Sequence, residues 1–180
     1  MTEIHTAFIN NRILKLQVGF LLSEGAGQSR DIEFDVPQAL RLADDLMLDY
    51  LHGTLHLSRS SRGILVQGAL ETSMQGQCGR CLSSAAIHID VALEELFVYP
   101  PELGVEESTV AEDGILDVAP LLREEIFLLT PIGVLCRPDC AGLCPNCGSN
   151  LNEGACGCLP EAVDPRFVML QALKDDLLGE

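Results

Sequence analysis

Ile87-His88-Ile89-Asp90-Val91-Ala92-Leu93-Glu94 sets an apolar side chain at every odd position and a polar or small one at every even position. A period of two marks a strand with one buried face, because successive side chains of an extended chain point to opposite sides. Two upstream runs share the pattern. Leu51, Gly53, Leu55 and Leu57 alternate with His52, Thr54, His56 and Ser58, and Ile64, Val66, Gly68 and Leu70 continue towards Cys78. Long strands with one apolar face and short connections bury that face most simply as an antiparallel meander. The expected fold class is therefore α+β: mainly an antiparallel β-meander sheet or open barrel, with a few helices and a small C-terminal Cys-rich zinc-binding segment. The tip joining the second and third long strands carries Cys78-Gly-Arg-Cys81.

Working outward, the first 36 residues read as two strands. Ile13, Leu14, Leu16, Val18 and Phe20 lead to Leu22, a loop from Ser23 to Ser29 follows, and Ile32, Phe34 and Val36 alternate after Asp31. Pro37 is expected to open a short helix from Gln38 to Leu46. Pro100 to Gly114 holds Glu102, Glu106, Glu107, Glu112 and Asp113 without a basic residue, and reads as a mobile acidic loop. Asp117 is placed to cap the next helix, with Pro120 in its first turn and Pro131 as its stop. Val118, Leu121, Leu122, Phe127 or Ile126, and Leu129 supply its apolar stripe. A last helix is expected from Asp164-Pro165, with Phe167, Leu170, Leu173 and Leu177 three or four apart. The expected division is a sheet domain over 1–131, with its acidic loop at 100–114, and a Cys-rich segment plus helix over 132–180.

Eight cysteines stand in 180 residues, as Cys78, Cys81, Cys136, Cys140, Cys144, Cys147, Cys156 and Cys158. Two residues between cysteines let both sulfurs face one ion, and the glycine after Cys147 permits the turn that follows. Disulfides need an oxidising compartment, whereas Met1-Thr-Glu-Ile-His5 lacks a basic start and an apolar signal core, so a cytoplasmic location is expected. Cys140, Cys144 and Cys147 show the C-x3-C-x2-C spacing of radical iron–sulfur enzymes, but too little chain follows for their barrel, which leaves a simple cluster holder. A redox dithiol at Cys78 and Cys81 would need a strand-to-helix setting, and strands flank this pair on both sides. Zn2+ is the expected cofactor. One partition gives Cys144, Cys147, Cys156 and Cys158 to one ion and Cys78, Cys81, Cys136 and Cys140 to another. The rival is a single site of Cys136, Cys140, Cys144 and Cys147.

The net charge is −16, which repels phosphate backbones and steers basic partners towards the chain; it also keeps a protein in solution. Arg80, Arg137 and Arg166 are the bases near the cysteines, so direct nucleic-acid contact would be local. Apolar runs are broken before membrane-spanning length, for example by Arg123, Glu124 and Glu125, so no membrane role is expected. His52 and His56 stand roughly 13 Å apart on one strand face, too far for one ion, and with His88 are expected as solvated residues. No phosphate-cradling glycine loop, nucleophile elbow or tasked carboxylate pair is present. Oligomeric state is left open.

The order of these features resembles the YceD family, bacterial and plastid proteins associated with accumulation of large-subunit ribosomal RNA. The resemblance rests on Cys78-Gly-Arg-Cys81-Leu82 after a meander, the acidic loop, and a helix ending Leu128-Leu129-Thr130-Pro131-Ile132. It continues through Cys136-Arg-Pro-Asp-Cys140-Ala-Gly-Leu-Cys144-Pro-Asn-Cys147-Gly148, Leu151-Asn152-Glu153-Gly154, Cys156-Gly-Cys158 and Asp164-Pro165-Arg166, spanning roughly Phe34 to Leu177. It implies a non-catalytic ribosome biogenesis factor supporting synthesis, processing or accumulation of that RNA, with a basic ribosomal protein or a precursor large-subunit particle as partner. Two other readings stand beside it: a metal-dependent RNA-processing enzyme, and a zinc-stabilised protein-binding adaptor unrelated to ribosomes.

Overall fold

The structure, a computed structural model, describes residues 9–100, 108–158 and Leu170. Residues 101–107 of the acidic loop, and the expected C-terminal helix apart from Leu170, lie outside the described residues. The meander is present as β3 (Ser29–Val36), β6 (Tyr50–Arg59), β7 (Gly63–Gln77) and β8 (Ser84–Val98), which pair antiparallel in that order. Before it come β1 (Ile9–Asn10), β2 (Lys15–Gln17) and α1 (Gly19–Ser23); β4 (Leu40–Ala43) and β5 (Leu46–Leu48) lie between β3 and β6, and β9 (Ile115–Asp117) and α2 (Ala119–Leu129) follow. A three-stranded sheet has the order β1-β4-β5, and β2 pairs with β9. Among the described residues the named strands all pair antiparallel except β1 with β4, and no sheet closes into a barrel.

Register assigns the two sheet faces. Across the meander, Val36, Leu51, Thr72 and Ile89 form one inward row, and Phe34, Gly53, Leu70 and Val91 the next. The opposite face carries Asp35, His52, Glu71 and Asp90 in one row and Asp31, His56, Gln67 and Glu94 in another. The inward leucines, isoleucines and valines are buried in one core with Leu14, Val18, Leu21, Leu116, Leu122 and Ile126. His52 lies 3.7 Å from Asp35 and His56 2.5 Å from Asp31, both on the solvated face, as the spacing implied.

Four local expectations are corrected. The first expected strand is broken: a 3-10 turn (Asn11–Leu14), β2 and α1 replace it. Val18 and Leu21, three apart, both reach the core, and Leu22 N–H closes a helical turn onto Val18 C=O at 3.2 Å. Residues 38–46 are a hairpin rather than a helix, because Leu40, Leu42, Leu46 and Leu48 are buried while Arg41 and Met47 point outward. That is a period of two on either side of a turn at Asp44 and Asp45. In α2 the buried side chains are Ala119, Leu122 and Ile126, so Ile126 takes the core position while Phe127 and Leu129 are exposed. The Arg123 guanidinium lies 4.7 Å over the Phe127 ring and pairs with Asp45. The N-cap of α2 is Val118, without a side-chain capping bond, rather than the expected Asp117, which ends β9 and accepts a 3.0 Å bond from Ala119 N–H; α2 packs on β8 and β4.

Gly53 has φ +139°, and a Cβ there would stand 2.2 Å from the Ala69 carbonyl oxygen. Only glycine lets β6 and β7 approach this closely. Gly53→Ala is expected to lower unfolding stability in urea by about 2–3 kcal/mol. Gly25→Ala, with nothing within 4 Å of the added carbon, is expected to change it by less than about 0.5 kcal/mol.

Candidate metal centre

The β7–β8 connection is only six residues long, Cys78 to Ser83, and folds as a knuckle. Cys78 N–H donates to Ser83 C=O at 2.9 Å, and Leu82 N–H donates to Cys78 C=O at 3.0 Å. The same two bonds recur at the second CxxC: Cys144 N–H to Ser149 C=O at 2.8 Å and Gly148 N–H to Cys144 C=O at 2.8 Å. The residue after each second cysteine is left-handed, Leu82 at φ +61° and Gly148 at φ +72°. A serine follows at the same offset in both. The sequence reading missed Ser83 and Ser149, although C-x-x-C-x-S occurs twice in the chain.

The eight thiols are all free and fall into two sets: Cys78, Cys81, Cys136 and Cys140, and Cys144, Cys147, Cys156 and Cys158. Within each set the sulfurs lie within 4.8 Å of one another, close enough to hold a metal ion. These are the two groups of the two-ion partition; the rival grouping of Cys136 and Cys140 with Cys144 and Cys147 is not formed. In the first set, Cys78 Sγ is 3.8 Å from Cys140 Sγ and Cys81 Sγ is 3.5 Å from Cys136 Sγ. Four sulfurs bound tetrahedrally at the usual zinc–sulfur length stand about 3.8 Å apart, so the donor set fits a single ion.

Backbone contacts hold the first set together across the chain. Gly79 N–H donates to Val134 C=O at 2.8 Å, Leu143 N–H to Arg80 C=O at 3.0 Å, and Arg80 Nη1 to Cys140 C=O at 3.0 Å. Cys78, Cys81 and Cys140 form a small buried cluster with Leu143, separate from the main core.

Electrostatics divide the thiols by position. Amides of Cys81, Cys136 and Arg80 donate to the Cys78 sulfur and hold its pKa at about 6. Hydrogen bonds from Ser149, side chain and then backbone, place Cys147 at about 6. Cys81 is lowered by Ser83, and Cys144 by the amides of Cys147 and Asn146. Their set partners go the other way: Cys136 rises to about 12, chiefly by hydrogen bonding to Cys81, and Cys158 to about 12, chiefly through Cys147. The serines and turn amides thus favour the thiolate at the knuckle cysteines, while Cys136 and Cys158 are biased towards the thiol.

Two outcomes follow. Between pH 6.5 and 8.5, binding at either set must expel at least the Cys136 or Cys158 proton, so Co2+ affinity is expected to rise with pH by about tenfold or more per unit, measured by chelator competition. Leu82 is exposed and pays a left-handed backbone cost, so Leu82→Gly is expected to stabilise the loaded protein by about 1 kcal/mol. Gly148 has open space for a Cβ, so Gly148→Ala is expected to cost about 1 kcal/mol from backbone strain alone; thermal unfolding measures both.

Comparison with known proteins places this geometry. The family model described as large ribosomal RNA subunit accumulation protein YceD matches residues 66–174, a stretch that includes both knuckles and all eight cysteines. A protein of Mycobacterium tuberculosis described as uncharacterized is 36% identical over 136 residues, covering 70% of this chain and 65% of the relative. An uncharacterized protein of Bacillus subtilis is 27% identical over 99 residues, 53% of this chain and 58% of its own length. A chloroplastic protein of Zea mays, named a large ribosomal RNA subunit accumulation protein YCED homolog, is 39% identical over 54 residues, 29% of this chain and 18% of its own length. The chain thus spans 65% of the length of the Mycobacterium bovis and Mycobacterium tuberculosis relatives and 47% of that of a Mycobacterium leprae relative. No solved structure matches it. With a family match running from the middle of β7 through both thiol sets, the chain belongs to the YceD family.

Proposed function

We propose that this chain is a non-catalytic factor in the biogenesis of the large ribosomal subunit, and that each of its two four-thiol sets holds a structural Zn2+. The observation that carries the reading is the family match over residues 66–174, whose description names accumulation of large ribosomal RNA. Four protein sulfurs saturate a tetrahedral ion and leave no position for a reacting water, which favours a structural metal over a catalytic one. Sulfur separations of 3.5 and 3.8 Å suit one ion. A multi-iron cluster spreads its thiolates more widely, because iron and inorganic sulfide stand between them. On this reading residues 1–131 form the sheet body and 132–180 a segment ordered by metal.

The partner proposed is a basic ribosomal protein or a precursor large-subunit particle. Its support is the outward face of the meander, where Asp31, Glu33, Asp35, Glu71, Asp90 and Glu94 occupy alternate register positions and no lysine or arginine shares them. Such a face raises the encounter rate with cationic surfaces and repels bare nucleic acid. The proposed location is the cytoplasm, where ribosomes assemble; among the described residues, no helix is long and apolar enough to cross a membrane.

Depleting the protein in its source cells is expected to lower the ratio of mature large-subunit to small-subunit ribosomal RNA, and a wild-type copy is expected to restore it. An unmoved ratio overturns the proposal and leaves a metal-stabilised adaptor of other purpose.

A further inference from the structure

Asn152 stands in the loop between the two cysteine pairs of the second set, after Cys147 and before Cys156, yet its side chain reaches the first set. Its Oδ1 accepts from Ala141 N–H at 2.9 Å and from Arg137 Nη2 at 2.8 Å. The backbone amide can only donate, so the oxygen must face Ala141 and the amide nitrogen must face the other way. There Nδ2 donates to Cys140 Sγ at 3.4 Å and to Asn150 Oδ1 at 2.7 Å. Asn150 Oδ1 also accepts from Asn152 N–H at 3.1 Å, so Asn152 is aimed from both sides, by Asn150 within the loop and by Ala141 and Arg137 beside the first set.

This loop has little else to order it. Among residues 149–155 none is fully buried, and an apolar core cannot hold them. Closure of the second set fixes both ends of the loop, at Cys147 and Cys156, and the Leu143–Asn150 bridge with the Leu151 N–H to Gly142 C=O bond of 2.9 Å lays it against the Cys140–Cys144 turn. A divalent ion on four thiolates leaves excess negative charge on the sulfurs, and N–H donors aimed at them offset it and strengthen binding.

We propose that Asn152 is a positioning residue that couples the two metal sets: loading the second set orders the loop, places Nδ2 on Cys140 and tightens the first set. By reciprocity, loading the first set tightens the second by the same factor. The inference rests on the reading that both sets hold metal. It adds that they load as a linked pair rather than as independent staples.

The test uses the full chain, stripped and reloaded with Co2+ under reducing conditions, with release to a chelator followed through the thiolate-to-cobalt absorption. Cys147→Ser disables the second set and Cys81→Ser the first, which assigns the two release phases. Asn152→Ala and Cys147→Ser are each expected to speed release from the first set by about 10–100-fold. Combined, they are expected to do no more than either alone, since both break one link. Asn152→Asp keeps the acceptor for Ala141 and Arg137 but sets a carboxylate oxygen against the sulfur; it is expected to weaken the first set while the second-set phase stays in place. Wild-type behaviour of Asn152→Asp, unchanged first-set release in Cys147→Ser, or multiplying effects in the double variant would each overturn the coupling. A wild-type chain that takes up no Co2+ overturns instead the metal reading beneath it.

Discussion

The segment after α2 meets the sheet where Cys136 and Cys140 converge on Cys78 and Cys81. From Pro131 to Cys158 the buried side chains are Cys140 and Cys144, with Val134 and Leu143 only half-buried. A stretch with so little apolar burial does not offset its own conformational entropy by packing. What gathers it are the Gly79–Val134 and Leu143–Arg80 backbone bonds and the convergence of Cys136 and Cys140 on Cys78 and Cys81, with Cys78 and Cys140 62 positions apart in the chain. Four thiols that close, two of them with pKa values held below that of free cysteine, could hold a metal ion. The rest of the segment, the second knuckle and its loop, is placed relative to this junction.

The junction in turn depends on the meander. Long pairing between β7 and β8, running from Gly63 opposite Val98 to Gln77 opposite Ser84, delivers the first knuckle at the end of a rigid hairpin. Side-chain alternation then makes the sheet a divider. One face joins the core beneath α2 and the small sheets, and the other shows carboxylates and histidines to solvent. The charged face and the thiol junction thus belong to one four-stranded sheet, the face spread over β3 to β8 and the junction at the tip of the β7–β8 hairpin.

The two knuckles are local repeats with unequal residues. Both use the same pair of backbone bonds and a serine beside the second sulfur, but one uses glycine and the other leucine at the left-handed position. A β-carbon in that conformation crowds the following carbonyl, so Leu82 is the strained member of the pair. The knuckles also differ between their cysteines, with Gly79-Arg80 in one and Pro145-Asn146 in the other, yet keep the same pair of backbone bonds.

Patterns whose meaning lies within a few residues were legible in the sequence. The period of two in 51–57, 64–70 and 87–93 and the CxxC knuckles follow from local geometry. The YceD resemblance followed from the order of these features. Short segments were less legible: Leu40, Leu42, Leu46 and Leu48 suit a helix or a hairpin until a neighbouring strand is available, and β1 supplies it for β4. Likewise Ile126 and Phe127 compete for one core position until the direction of α2 over β8 decides it. Spacing named two ways of sharing the thiols and could not rank them by contact. Only the fold brings Cys136 and Cys140 to the hairpin tip and swings Asn152 onto Cys140, since those contacts join residues that no local period relates.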